Sequence, residues 1–234
     1  VTGKGLLQSD DELAARNRAL SGALSELAAR YLATDHGKAL DVGCQQGALM
    51  TMMDGAGDFS WVGVDPNVDE PTRSPAGQEM LHGWAHELPF EDESFDLVLL
   101  ANVYEHIDPH QRDASLREIR RVLKVGGILV GQLPNPYFPV ESHSRLPFMG
   151  YLPAPLRKRY WKLTPVHWQM DFYSVTARDL RRRASKAGLE TLEVRTFNYP
   201  PEAIPEKVRG VARALSPAWR VVPWAWQFCF RRTA

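Results

Sequence analysis

An acidic strand end, a glycine turn and a second acidic strand end offer the first chemistry in this sequence. "ALDVGCQQGALM", Ala39 to Met50, reads as an apolar strand closing on Asp41, a tight turn at Gly43 and a helix starting near Gly47. A helix N-terminus there presents free N–H groups and a partial positive charge, suited to a carboxylate or phosphate. Asp65, 22 residues after Gly43, ends the next apolar run in "VGVDPN". A carboxylate at that place can accept both hydroxyls of a ribose. The loop lacks the Lys and Ser/Thr of GxxxxGK[ST] spacing, which argues against a nucleoside-triphosphate loop. Its middle position, usually a third glycine, is Gln45. Alone, the stretch fits either a nucleoside-cofactor loop or a buried strand and turn with no ligand.

The elements that would position these residues follow from patterning. Residues 10–34 space Leu13, Leu20, Leu24, Leu27, Ala28 and Tyr31 at helical intervals behind an Asp-rich cap. Short apolar runs follow at Ala39–Val42, Trp61–Val64, Met80–Leu81, Phe95–Ala101 and Ile128–Leu133. Between the last two, "QRDASLREIRRVLKVGG" puts Leu116, Ile119 and Leu123 on one helix face, with a stop at Gly126-Gly127. This alternation predicts βαβ units and a parallel sheet covered on both sides. Residues 134–172 are rich in proline and aromatics and read as a lid or acceptor-binding insertion. "SVTARDLRRRASKAG" is a capped helix ended by Gly188, and "LETLEVRTFNY" is strand-like. A second insertion, 200–223, precedes a last apolar run, Trp224–Phe230, which reads as the final strand. The whole chain, 1–234, is expected to form a single domain.

Apolar content of 44% and charged content of 24% are those of an ordinary globular protein. Residues 1–110 carry a net charge of −13 and the remainder +13, so the zero total conceals two opposed halves. The basic half suits a nucleic acid, an anionic lipid surface or an acidic substrate; alternatively the halves neutralise each other in the fold. Two cysteines, Cys44 and Cys229, give neither a disulfide framework nor a CxxC pair, which favours a reducing setting. No run of eighteen apolar residues is present, and the N-terminus has no signal-peptide pattern. A cytoplasmic location is the expectation.

The segment "HGWAHELPFEDESFDLVLLANVYEHID", His82 to Asp108, closely resembles class I S-adenosylmethionine-dependent methyltransferases, within them the branch of quinone and small-molecule methylases. Gly83, Ala85, Leu88, Pro89, Phe90, Asp92, Ser94, Phe95, Asp96, Glu105 and His106 match that family's pattern in order and spacing. "REIRRVLKVGGILV" resembles its next helix and strand. The resemblance covers residues 36–135 well and the rest loosely. It implies a Rossmann-like, doubly wound sheet of seven mostly parallel strands with helices on both faces. The last strand should be antiparallel, inserted between the fifth and sixth.

The resemblance also implies S-adenosylmethionine as cofactor, leaving as S-adenosylhomocysteine. Asp41 and the loop Gly43, Cys44, Gln45 and Gly47 should meet its methionine end, and Asp65 its ribose. Pro66, Trp84, Ala85 and Leu88 should line the adenine slot, and Asn102 and Val103 should lie beside the sulfonium. Two positions depart from the pattern: Gln45 replaces a glycine, and Trp84 stands where an acid usually bonds the adenine amine. Trp84 cannot accept a hydrogen bond but can stack on adenine. An ordinary α or β conformation at Gln45, with the side chain turned away, would make that substitution harmless.

His106 and His143 are the candidate bases, because imidazole titrates near neutral pH and His106 follows a strand end where ligands gather. The structural alternative for Glu105-His106 is a cap on a helix beginning near Asp108. Glu141 and His143 either bind a polar acceptor or fix their loop. No cluster has metal-ligand spacing, so no metal is expected. "YLPAPLRKRYWK" and "AWRVVPWAWQFCF" mix aromatics with basic residues as membrane-surface elements do, so the acceptor is read as a small molecule or lipid-like, with peripheral membrane contact allowed. Two rival functions stand beside this one. A catalytically silent relative would bind the nucleoside or a protein partner. A nucleic-acid methylase would use the basic half, though no RNA-binding module accompanies it.

Overall fold

The computed structural model describes residues 10–141, 146–163, 172–200 and 221–234, together with positions 203, 204, 206, 210 and 214. The elements are α1 (Asp10–Tyr31), β1 (His36–Val42), α2 (Ala48–Thr51), β2 (Asp58–Asp65), β3 (Thr72–Arg73), β4 (Glu79–His82), β5 (Phe95–Ala101), α3 (Arg112–Val122), β6 (Leu123–Pro134), α4 (Ala154–Trp161), α5 (Ala177–Lys186), β7 (Leu189–Phe197) and β8 (Ala225–Arg232).

The strands form one sheet in the order β3-β4-β2-β1-β5-β6-β8-β7. β4, β2, β1, β5 and β6 run parallel, while β8 lies antiparallel between β6 and β7. The insertion of the final strand is the arrangement the resemblance implied. The sheet has eight strands instead of seven because the two-residue β3 pairs antiparallel with β4 at the edge.

Strand periodicity explains the two-sided core. Along β5, Leu97 and Leu99 face α1, whose Leu20, Leu24 and Leu27 cover that side together with Ala39, Ile128, Val130 and Cys229. The alternate residues Val98 and Leu100 face α3 and α5, where Leu116, Ile119, Leu180 and Ala184 pack with Phe228 and Phe230. A side-chain period of two delivers adjacent residues to opposite faces. The near-continuous apolar runs seen in the sequence are therefore strands buried on both sides.

Helix ends depart from the sequence expectation in three places. α3 begins at Arg112, not near Asp108, because Asp108 instead accepts the His110 amide in a local turn at 2.8 Å. It ends at Val122, four residues before the glycine pair, because Leu123 is already extended and pairs with Phe95 in the sheet. α2 is a single turn, after which the chain passes through a short 3₁₀ turn at Asp54–Ala56 into β2. α5 starts as predicted, with Thr176 accepting the Asp179 amide at 3.2 Å.

The aromatic segment after β6 is more ordered than an insertion loop implies. It holds a 3₁₀ turn at Met149–Tyr151 and then α4. Most of 200–223 lies outside the described residues. No helix among the described residues is long and apolar enough to cross a membrane.

Candidate cofactor and acceptor site

The sheet brings the acidic strand ends together. β2 and β5 flank β1 on either side, so Asp41, Asp65 and Asn102 all emerge at the C-terminal edge where the winding changes direction. Ligands of open α/β sheets bind in that crevice. The Gly43 and Cys44 amides both donate to Val64 O, at 2.7 and 3.2 Å, tying the loop to β2. Gly43 has φ 79°, and a Cβ there would lie 2.4 Å from Val103 Cγ2. Gly47, φ 77°, would strike Met50 Cε and Ser74 Cβ. Both positions require glycine on grounds of conformation and space.

Gln45 does not take the ordinary backbone that would have made the substitution harmless. Its φ is 49°, in the left-handed region, and the residue is exposed. The cause is its amide, which turns inward to donate to Asp65 Oδ2 at 2.9 Å. Asp65 Oδ1 accepts the Asn67 amide and the Asn67 side-chain nitrogen, each at 2.9 Å. A carboxylate offers about four acceptor positions, so capacity remains after three bonds. The helix expected near Gly47 is the single turn α2, so few aligned peptide units sum to the partial positive charge at its N-terminus.

Asp41 is 2% exposed, and its Oδ2 has no hydrogen-bond partner among the described residues. Burial, and then the neighbouring Asp65 charge, push its carboxyl up to about 7, against the pull of the Met50 N–H. An orphaned buried carboxylate oxygen calls for a donor. The ammonium of a methionine-bearing cofactor is such a donor, so the residues present fit that group. Cys44 contributes no thiolate, because burial pushes its thiol up to about 12.

The segment after β4 forms the next wall. Trp84 is half-exposed, 5.9 Å from the His86 ring, and so is free to stack. Ala85 packs on the core and Leu88 is buried in it, while Pro66 is partly exposed beyond Asp65. The Leu88–Asp92 motif is pinned by α3. Glu118 accepts the Leu88 amide at 3.0 Å, and Arg121 donates to Leu88 O, Phe90 O and Asp92 Oδ1. The clamp grips the main chain of Leu88 and Phe90 and the side chain of Asp92.

At the end of β5, Asn102 is also left-handed, φ 57°. Gln132 on β6 holds it: the Asn102 amide donates to Gln132 O at 2.9 Å, and Gln132 Nε2 donates to Asn102 Oδ1 at 3.0 Å. Gln132 Nε2 also donates to Tyr199 Oη at 2.9 Å, and the Arg16 guanidinium lies 5.0 Å from the Tyr199 ring centre. Neither Gln132 nor Tyr199 was singled out from the sequence. The available signal was one polar residue inside the apolar run "ILVGQLP".

His106 is exposed past the end of β5, its amide donating to Val103 O at 2.9 Å. His143 lies outside the described residues. Beyond Glu105, a cavity of about 30 Å³ is lined by Glu105, Asn135, Glu141, Met149 and Arg157, with Tyr173 at its side. Glu105 and Glu141 are both buried there, and Arg157 donates to Ser174 Oγ. Among the described residues no group of three His, Cys, Asp or Glu side chains could hold a metal.

Comparison with known proteins agrees with this geometry. Residues 40–131 match the family model described as a methyltransferase domain. The demethylmenaquinone methyltransferase of Staphylococcus aureus is 31% identical over 176 aligned residues, covering 68% of this chain and 70% of that protein. An S-adenosylmethionine-dependent methyltransferase from Mesorhizobium loti superposes with a TM-score of 0.60 at 17% identity, covering 90% of this chain and 99% of the other. Phosphoethanolamine N-methyltransferase 2 of Haemonchus contortus, solved with S-adenosyl-L-methionine, gives 0.59 at 17% identity, covering 91% and 53%.

Proposed function

Because the chain belongs to the class I S-adenosylmethionine-dependent methyltransferases, we propose that it transfers a methyl group from S-adenosylmethionine to a small, lipid-like acceptor. The observation that carries the cofactor assignment is the buried Asp41 Oδ2, without a donor among the described residues, beside Asp65 and the glycine loop. Asp41 would receive the ammonium end, Asp65 the ribose, and Trp84 the adenine face, with Pro66, Ala85 and Leu88 shaping the slot. Asn102 and Val103 would border the reacting centre.

When bound, the cofactor supplies an already activated sulfonium methyl. The protein's share is to hold both partners in line, exclude water and, where the acceptor requires it, take a proton. His106 is the residue assigned to that proton. Its exposure at a strand end, next to Val103, supports the role. The lipid-like acceptor is supported by the name of the Staphylococcus aureus relative and by the exposed aromatic residues of the segment after β6.

Isothermal titration with S-adenosylmethionine and S-adenosylhomocysteine under reducing conditions tests the reading, and absence of binding near neutral pH would overturn it. A catalytically silent reading draws on one observation, that the loop's own amide already occupies Asp65. Cofactor binding without turnover of any quinone-like or phenolic acceptor would favour it.

A further inference from the structure

We propose that the face built by residues 146–163 and the adjoining Tyr137 docks the protein on an anionic lipid bilayer. Ten large hydrophobic residues are exposed among the described residues, and seven of them lie between positions 137 and 173. Single exposed apolar residues need no explanation, but such clustering does. Leu163 is 79% exposed and Phe148 62%.

Three of the aromatic rings among them form one contiguous cluster. The Tyr137 and Tyr151 rings are 5.7 Å apart and the Phe148 and Tyr151 rings 6.2 Å apart, with Tyr151 Oη donating to Tyr137 O at 2.6 Å. Phe148 is held at φ 59°, a left-handed conformation costly for a bulky side chain. That strain is spent on an aromatic ring facing water.

α4 continues the surface. Trp161 is buried against Phe172, ring centres 5.7 Å apart, and fixes the inner side of the helix. Leu156 is exposed and Tyr160 partly so, one turn apart on the helix, while Leu163 follows in the turn beyond it. Lys158, Arg159 and Lys162 are exposed as well, and residues 146–163 contain no acid. Aromatic rings beside basic residues form the composition of an interfacial element, in which apolar groups enter the headgroup region and cations meet anionic lipid.

Charge selects this occupant over a second copy of the chain. A two-fold contact through the patch would bring two copies of the same basic cluster, Lys158, Arg159 and Lys162, into one interface, like charge facing like charge. Met149, Gly150 and Arg157 from this segment line the cavity, so the docked face adjoins it. Docking itself stands without the proposed reaction; only its purpose, access to a membrane-dissolved acceptor, rests on that reading.

The test is sedimentation of the full chain with vesicles of phosphatidylcholine alone or mixed with phosphatidylglycerol, with cofactor titration run in parallel. The wild type should pellet with the mixed vesicles only, and less as salt rises. Combined Lys158→Glu, Arg159→Glu and Lys162→Glu should lower partitioning by about tenfold or more. Phe148→Gly, which relieves the positive φ, should keep or raise thermal stability yet bind vesicles several-fold more weakly. The proposal fails if the wild type stays in the supernatant, if both variants pellet like the wild type, or if the same substitutions instead dissolve a solution dimer. Vesicle binding with no cofactor binding would count against the methyl-transfer reading and leave the docking surface standing.

Discussion

The backbone amide of Gln45 donates to Asp65 Oδ2 at 2.9 Å, and Gln45 adopts φ 49° to do so. The loop thus trades local strain for a charge-assisted bond to the acid assigned to the ribose. A non-glycine residue in this region costs about 1–2 kcal/mol, while glycine loses about 0.5–1 kcal/mol of chain entropy on folding. Gln45→Gly should therefore leave the amide bond intact and raise the melting temperature by roughly 1–4 °C. Gln45→Val should lower it. Cofactor affinity in Gln45→Gly should stay within about twofold of wild type, since the side chain is exposed. A larger loss in titration would mean that the glutamine side chain contacts the cofactor.

The Asp41 carboxyl titrates at about 7 in the fold, raised first by burial and then by Asp65. In the unfolded chain it titrates near ~3.9. The folded state therefore binds the proton more tightly, and this group's stabilising contribution is full below about pH 4 and lost as pH rises through about 7. Asp41→Asn should remove that loss, flattening the fall of melting temperature between about pH 4 and pH 7. Affinity for the cationic cofactor should behave oppositely. In the wild type it should tighten as Asp41 ionises; in Asp41→Asn it should be weak and nearly independent of pH. Parallel pH profiles in both proteins would contradict the assignment.

Trp84 is half-exposed and has only a ring and an N–H donor to offer. If it stacks on adenine, Trp84→Ala should weaken cofactor binding by about 0.5–1.5 kcal/mol, or roughly twofold to twelvefold, and Trp84→Phe should recover most of that. Stability should barely change, because Leu88 and the Glu118–Arg121 clamp hold the segment independently. Equal affinity in wild type and Trp84→Ala would remove Trp84 from the site.

Gln132 is 1% exposed and joins Asn102 to Tyr199. Gln132→Leu should cost about 1–3 kcal/mol of stability by leaving buried partners unpaired. It should also free the Asn102 side chain while its backbone amide stays bonded to the carbonyl of residue 132, lowering kcat more than it raises the cofactor KM. Tyr199→Phe, which removes one of these bonds, should show a smaller fall of the same kind. A stability loss with unchanged kcat would confine Gln132 to a structural role.

The sequence by itself determined the sheet, most of its helices and the order of the site's residues. Those features are locally encoded: apolar residues recur with the period of a strand or helix, Asp65 ends β2 and Asp41 stands one residue before the end of β1, and Gly43 and Gly47 mark backbone that no side chain fits. The family pattern at Leu88–Asp96 was equally visible, although its clamp on Glu118 and Arg121 was not. Only the tertiary structure decided that Gln45 is left-handed, since its amide partner sits 20 residues away on another strand. The same holds for Asn102, whose conformation is fixed across β6 by Gln132 and through Tyr199 on a third segment. It also decided that Trp161 turns inward while Phe148 and Leu163 face solvent. Composition can name an aromatic segment, but burial depends on which distant surfaces arrive to cover it, and that is settled by packing.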